Sequence, residues 1–133
     1  MIPKFRAWMK SLKWMCDVTN ISFDSKFVDI CQKGDTERYT EMSVEFDEIE
    51  LMQSTGFKDK NGQEIFEGDV VRQVRTQPTT ENEIITGVVT MLEGAWLIMN
   101  DNEQLASYLW SEMDENEIIG NIYENKDILE EEK

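Results

Sequence analysis

Four consecutive residues near the middle of the chain have the side chains of a calcium-binding loop. An EF-hand loop has glycine at its sixth position and a bidentate glutamate at its twelfth. In Asp59-Lys60-Asn61-Gly62 the glycine fits, but the first position is then Phe57 and the twelfth is Gly68, and neither can bind a cation. Because Asn and Gly tolerate a positive φ, the pattern predicts a tight turn of type I′ instead.

Other patterns of catalytic chemistry are missing from the sequence. Gly56, Gly62 and Gly68 recur every six residues, and this spacing matches no phosphate-binding glycine motif. The chain has no histidine, so it lacks the commonest general base, and a Ser or Cys nucleophile would have no imidazole to activate it. We therefore expect a protein that is not an enzyme, with no catalytic, cofactor-binding or metal-binding residues.

The densest group of carboxylates lies near the C-terminal end, at Glu112, Asp114, Glu115 and Glu117. Clustered acids bind divalent cations in some proteins and hydrolyse glycosidic bonds in others. Acidic side chains are mostly exposed on protein surfaces, however. We interpret this group as part of a solvated face or loop.

Two cysteines, Cys16 and Cys31, are too few for a zinc site in a chain without histidine. A disulfide is geometrically conceivable if the strands that carry them pair, but a reducing compartment favours buried free thiols. The sequence has no apolar run long enough to span a bilayer and no apolar segment typical of a signal peptide. We therefore expect a cytoplasmic protein.

Charge is distributed unevenly along the 133 residues. The whole chain has 28 acids and 13 bases, a net charge of −15. Residues 80–133 have 14 acids against only Lys126 and Lys133, a net of −12, whereas residues 1–79 have a net of −3. This distribution argues against nucleic acid as a partner of the C-terminal half. It indicates either a surface adapted to solubility or one complementary to a basic partner.

Aromatic residues offer a further binding chemistry. The four tryptophans are Trp8, Trp14, Trp96 and Trp110. They could stack on bases or form a peptide groove, but each lies in or beside an apolar strand pattern, which favours core packing. Aromatic and basic residues interleave around Trp8, which is flanked by Arg6, Lys10 and Lys13 and is the best case for an anion contact. The alternative is a hairpin whose long cations cover its exposed face.

The elements that must position these residues are mostly short strands. Period-two patterns and turn residues predict strands at 4–8, 14–23, 27–31, 40–46, 70–74, 84–91, 95–99 and 117–123. We expect a strand end or bulge near residues 47–48, a close backbone approach at Gly87, an exposed loop at 76–82 and a short helix within 125–132. Closely spaced short strands in a chain of this length indicate one small barrel or sandwich.

Three blocks of the sequence resemble the YopX family of small proteins from phages and prophages of Gram-positive bacteria. These blocks are KFRAW at residues 4–8, LMQSTGFKDKNGQEIFEGDVV at 51–71 and EIIGNIYENKDIL at 117–129. The resemblance implies an N-terminal β-rich region with a hairpin, at 1–50. It also implies a C-terminal SH3-like barrel of about five strands, which with a short terminal helix would fill 51–133. No known reaction or site residue comes with it.

These observations leave three functions open. The protein is most simply a protein-binding accessory factor that acts on a host or phage protein. Its acidic half makes a DNA mimic, which would block a host DNA-binding protein, a second hypothesis. A nucleic-acid-binding SH3-like module is the third, resting on fold analogy alone. We expect no membrane partner, and a homo-oligomer is allowed because strand edges can pair.

Overall fold

The computed structural model describes residues 4–75, 83–100, 105–110 and 114–125, and every described regular element except one turn is a β-strand. The strands are β1 Phe5–Met9, β2 Trp14–Ser22, β3 Phe27–Gln32, β4 Met42–Glu45, β5 Ile49–Lys58, β6 Glu64–Phe66, β7 Asp69–Arg75, β8 Glu83–Leu92, β9 Ala95–Asn100, β10 Leu105–Tyr108 and β11 Asp114–Asn121. They form two antiparallel sheets, ordered β4-β3-β2-β1-β5-β6 and β10-β9-β8-β7-β11. Contacts divide the chain into a first unit, Met1–Ser54, and a second unit, Thr55–Lys133.

The mainly β architecture expected from the sequence is confirmed. The SH3-like barrel expected at 51–133 is not confirmed, because neither sheet is closed and the second has β10 and β11 as its two edges. The helix expected at 125–132 lies outside the described residues apart from Asn125, and so does the loop expected at 76–82. A domain boundary after residue 50 stays a prediction.

The first unit has an apolar core on one face of its sheet. Paired residues on neighbouring strands share a face, and Ala7 pairs with both Cys16 and Leu51, while Val28 pairs with Val44. These five residues belong to one hydrophobic core, in which Ala7 and Val28 are completely buried. The alternation of apolar and polar residues in β1 to β4 therefore places one apolar side on the core.

A short connection makes this sheet bend. The single turn of 3-10 helix, Phe46–Glu48, is all that links β4 to β5, although these strands lie at opposite ends of the unit's strand order. Four inter-strand spacings span about 19 Å in a flat sheet, whereas three residues reach only about 10 Å. The turn is held by hydrogen bonds between Phe46 N and the Lys26 carbonyl and between Lys10 N and the Glu48 carbonyl. The expected strand end near residues 47–48 is confirmed.

The second unit has its core on one face of the five-stranded sheet. Val71, Ile85, Val89 and Ile98 are buried there, and Phe57, Trp96 and Ile118 pack against them. Gly87 makes the close approach predicted from the sequence, because a Cβ atom at this position would lie 2.7 Å from the backbone oxygen of Met99. Only glycine lets β8 and β9 pair this tightly.

The tight turns are not all where the sequence places them. Glu93 and Gly94, between β8 and β9, both have positive φ, as a two-residue type I′ turn requires. In the Asp59–Gly62 segment Gly62 has a positive φ but Asn61 does not, so the type I′ prediction was wrong at this position. The turn there forms differently because the Asp59 side chain bonds to the backbone.

Candidate functional site

The Asp59 carboxylate has a structural role in the second unit. One oxygen accepts hydrogen bonds from the backbone N–H groups of Asn61 and Gln63, both at 2.9 Å, and the other accepts one from Ile118 N at 3.1 Å. Asp59 is buried, and these three bonds link its turn to β11. A carboxylate occupied in this way on both oxygens is a structural connector, which agrees with the rejection of a calcium loop.

The acidic group near the C-terminal end does not make a described metal site. Glu115 and Glu117 lie two residues apart on β11 and therefore on the same face. Glu115 is exposed, and Glu117 forms an ion pair with Lys60 at 3.3 Å. Glu112 and the side chain of Asp114 lie outside the described part. Among the residues that the structure describes, no group of three or more His, Cys, Asp or Glu side chains is placed to hold a metal ion.

The basic residues around Trp8 do not present a joint cationic patch. Arg6 is buried, and its Nε lies 3.4 Å from the Met52 sulfur. Lys10 forms an ion pair with Glu50 at 3.4 Å. The expectation of core packing holds for two of the other tryptophans, since Trp14 and Trp96 pack against the cores of their units, but Trp110 is exposed.

The two thiols lie on opposite faces of the first sheet. Cys16 pairs with Gln32 and Cys31 pairs with Asp17, so alternation directs the two side chains to opposite sides although β2 and β3 are neighbours. Both cysteines are free and buried. Burial, followed by the proximity of Cys31 and Asp17, raises the pKa of Cys16 to about 11. Because the two side chains point to opposite sides of the sheet, the alternative of a disulfide is excluded. The raised pKa makes Cys16 a poor nucleophile.

A groove of about 540 Å³ lies on the part of β2 that extends past β1. Its lining consists of Lys4, Phe5, Val18, Thr19, Asn20, Ile21 and Phe23. These side chains include no carboxylate, thiol or imidazole, and the groove is lined mainly by apolar surface.

A larger apolar surface lies on the second sheet, on the side opposite its core. Cross-strand pairs connect Val88 to Met99 and Ala106, and Thr90 to Leu97 and Tyr108. We call this surface the outer face. It consists of Ile84, Thr86, Val88, Thr90, Leu92, Ala95, Leu97, Met99, Ala106 and Tyr108, of which Thr86 is buried.

Three large side chains of the outer face are exposed to solvent. Tyr108 is 69% exposed, Ile84 63% and Leu92 45%, whereas Ile85, the neighbour of Ile84 on the core side, is only 8% exposed. The ten positions of the outer face on β8, β9 and β10 include no charged residue. Contiguous exposed apolar surfaces of this kind mark interaction sites in soluble proteins.

Acidic residues border the outer face. Glu93 is exposed in the turn beside Leu92, and Glu115 is exposed on β11, on the same face as Ile84 and two strands away. Arg72 lies directly opposite Glu117 in the pairing of β7 and β11. From residue 76 to residue 125 the sequence has ten acids and no Lys or Arg, so the surroundings of the outer face are strongly anionic.

Sequence reasoning did not identify the outer face, although its signal is present. Residues 84–92 and 95–99 are apolar at nearly every position, without the alternation of a strand that has one solvated side. Runs of this kind are typical of strands covered on both faces. The structure covers the core side, and the described residues leave much of the other side open.

A family model described as YopX protein matches residues 4–130 of this chain. The crystal structure of protein EF1440 from Enterococcus faecalis is similar, with 28% identity, a TM-score of 0.50, and coverage of 97% of this chain and 99% of that chain. The crystal structure of protein yopX from Bacillus subtilis has a TM-score of 0.55 at 16% identity, over 92% of this chain and 94% of that chain, which is a likeness of fold. No curated protein matches. Within the described part of the chain, no helix has the length and hydropathy to cross a membrane.

Proposed function

This chain belongs to the YopX family, and we propose that it is a non-enzymatic protein-binding accessory factor encoded by a phage or prophage of a Gram-positive bacterium. It acts in the cytoplasm of the host cell on a host or phage protein. The observation that carries the proposal is the outer face, where Tyr108, Ile84 and Leu92 are exposed on one side of the second sheet.

Two further observations support a binding function over catalysis. The chain has no histidine, and the pKa values of Cys16 and Cys31 are both raised by burial, which disfavours a thiolate nucleophile. The buried carboxylate of Asp59 is fully engaged with backbone N–H groups. By contrast, tyrosine, which the outer face exposes at Tyr108, is among the residues that contribute most to protein–protein binding.

The experiment compares the whole protein with an outer-face variant, Ile84→Ser, Leu92→Ser and Tyr108→Ser, which keeps the charge unchanged. Both are immobilised, and proteins captured from a Gram-positive host lysate are identified by mass spectrometry and then purified for direct binding measurements. The proposal requires at least one purified protein that binds the wild type and loses about tenfold or more in affinity for the variant. The matched control is Tyr39→Ser, because Tyr39 is 84% exposed in the first unit.

Equal binding of every captured protein to the wild type and the outer-face variant would refute the proposal, as would the failure to capture any protein. Circular dichroism and thermal unfolding of each variant show whether the fold is intact. We expect the variant to stay folded because all three changed residues are exposed.

An acidic DNA mimic is the alternative function, motivated by the 18 acids and six bases of residues 55–133, a net of −12. Duplex DNA presents one charge per about 1.7 Å of its axis, so a mimic needs a dense exposed array. Asp59 and Asp69 are buried and Glu117 is paired with Lys60, which removes three carboxylates from any such array. Competition with duplex DNA for a captured partner is the test that would favour the mimic.

A further inference from the structure

We propose that the outer face binds a basic amphipathic α-helix of a partner protein, an inference that rests on the proposed function and specifies the chemistry of the partner. The helix lies across β8 and β9 with its apolar stripe on Leu97, Met99 and Tyr108. Its Lys and Arg residues face the acids at the border, Glu93 and Glu115.

The second sheet has apolar residues on both of its faces, and this is why we expect an apolar partner. Ile85, Val89 and Ile98 are buried in the core, whereas the alternate positions Ile84 and Leu97 lie on the outer face. A sheet face that is largely apolar is stabilised when another layer covers it. Helices and sheets are the two layers that proteins use for this purpose, and an added strand would pair at the edge and leave the face open.

The dimensions of the surface favour a single helix. Three strands, β8 to β10, span about 10 Å at the usual spacing, and six residues of strand are about 20 Å long. An α-helix with its side chains is about 10 Å wide, and a length of 20 Å corresponds to about 13 residues. The outer face therefore has room for one helix of three to four turns.

The negative charge of the second unit favours some binding partners of the outer face over others. Residues 55–133 have a net charge of −12, and residues 76–125 include no base. A second copy of this chain would bring the same charge to the interface, and nucleic acids and anionic lipid headgroups are repelled for the same reason. A helix rich in Lys and Arg is attracted, and acids at two ends of the face, Glu93 and Glu115, are positioned to contact its polar flanks.

The test uses three synthetic peptides of 14 residues, each with a fluorescent label. The first has Leu at helical spacing and Lys at the remaining positions, the second replaces each Lys with Glu, and the third scrambles the first so that no apolar stripe forms. We expect the Leu–Lys peptide to bind at least about tenfold more tightly than the other two, and more weakly at high salt.

Variants connect this binding to the outer face. The charge-neutral variant Ile84→Ser, Leu92→Ser and Tyr108→Ser weakens binding of the Leu–Lys peptide by about thirtyfold or more, whereas Tyr39→Ser has no effect. Glu93→Gln with Glu115→Gln weakens binding about threefold to tenfold and reduces its dependence on salt. The Leu–Lys peptide becomes helical on binding, as measured by circular dichroism.

Each of the following results would overturn the inference. Equal binding of the scrambled peptide shows attraction by charge alone, and equal binding of the Leu–Glu peptide shows that charge has no role. Sedimentation of the wild type as a dimer that the outer-face variant dissociates shows that a second copy covers the surface. A purified partner that needs the outer face but binds through a neutral or acidic segment refutes the helix and leaves the proposed function standing. If no partner needs the outer face, the proposed function fails as well.

Discussion

The two units differ in where their exposed apolar side chains lie. In the first unit one face of the sheet is an apolar core with Ala7 and Ile30, the other face combines exposed acids with buried residues such as Met15 and Met52, and the large exposed apolar residues lie in turns. In the second unit the buried side includes polar residues, and the outer face is apolar and partly exposed. Folding accounts for the apolar residues of the first unit. It does not account for those of the outer face, and this difference is the main reason to regard that face as functional.

The polar residues inside the second unit form a connected network. Gln73, which is completely buried, donates to Asn116 Oδ1 at 3.0 Å and to the Tyr108 carbonyl at 3.1 Å, and it accepts a hydrogen bond from Ser107 Oγ at 2.8 Å. Asn116 in turn donates to the Leu109 carbonyl. Buried polar networks that are fully satisfied specify one arrangement of the strands they join. This one joins β7 to the edge strands β10 and β11, which present Tyr108 and Glu115.

The sharpest test of the contrast compares two adjacent isoleucines. Ile85→Ala removes a side chain from the core and should lower the free energy of unfolding by about 2–5 kcal/mol, since it leaves a cavity. Ile84→Ala, on the outer face, should cost less than about 0.5 kcal/mol. Urea unfolding followed by circular dichroism measures both. A similar loss for the two variants would mean that the outer face is part of the folding core.

Disruption of the buried polar network around Gln73 should give the next largest loss of stability. Gln73→Leu removes the hydrogen bonds of Gln73 to Ser107 Oγ and Asn116 Oδ1 and should lower the free energy of unfolding by about 2–3 kcal/mol. Adding Ser107→Ala removes a hydroxyl that has already lost its bond to Gln73, so the double variant should lose less than the sum of the single losses, with a coupling of about 0.5 kcal/mol or more. Strict additivity in urea unfolding would show that the network does not act as a unit.

Thiol reactivity tests whether both faces of the first sheet are closed, because Cys16 and Cys31 lie on opposite sides. Raising the pKa of Cys16 from the ordinary thiol value of 9.0 to about 11 reduces its thiolate fraction about a hundredfold at neutral pH. Burial, with Asp17 second, also raises the pKa of Cys31. We expect both thiols to react with an aromatic disulfide reagent only after denaturation. Rapid labelling of Cys31 alone in the native protein would show that its side of the sheet opens.

The smallest effect concerns an exposed loop of the first unit. The Thr40 hydroxyl donates to the Asp35 carboxylate at 2.6 Å, which, with the Thr40 N–H at 2.7 Å, lowers the pKa of Asp35. A carboxyl whose pKa is lowered in the folded state stabilises the fold at neutral pH, and this stabilisation is lost as the pH falls through the lowered pKa. Thr40→Val should raise the pKa of Asp35 toward its ordinary value, as measured by NMR titration.

The stability change from Thr40→Val should be slight, because Asp35 is largely solvated and solvent screens such interactions. Thr40 also accepts a hydrogen bond from Gln32 N, so only the titration of Asp35 isolates the carboxyl effect. Thr36→Val in the same loop is the matched control. An unchanged pKa of Asp35 in Thr40→Val would show that the Thr40 hydroxyl does not cause the lowered pKa.

Local patterns in the sequence predict much of the fold. The hairpin of β1 and β2, the strand β3, the hairpin of β8 and β9 and the close approach at Gly87 are all confirmed. Each depends on neighbours in the sequence, through alternation of side chains or the backbone freedom of glycine. These are the properties that a single sequence displays directly.

Features that depend on distant residues were not predicted. The strand Glu64–Phe66 is too short for a period-two pattern, and its place in the sheet depends on its neighbour β5. The turn at Asp59 was misassigned because its side chain bonds to the backbone and competes with the type I′ geometry. The outer face was missed because an apolar run indicates cover on both sides, and only the structure shows which side lacks it.

The pairing of β1 with β5 also affects the order in which the molecule folds. Arg6 and Met52, directly opposite each other on these strands, are 46 residues apart in the sequence, whereas β8 and β9 are joined by two residues. Local hairpins form in about 1–10 μs, but a contact across a long loop first requires the entropy loss of closing that loop. On the ribosome, strands β1 to β4 emerge before β5. The first unit can therefore complete its sheet only after residue 54 has left the exit tunnel, and until then its apolar face is accessible to chaperones.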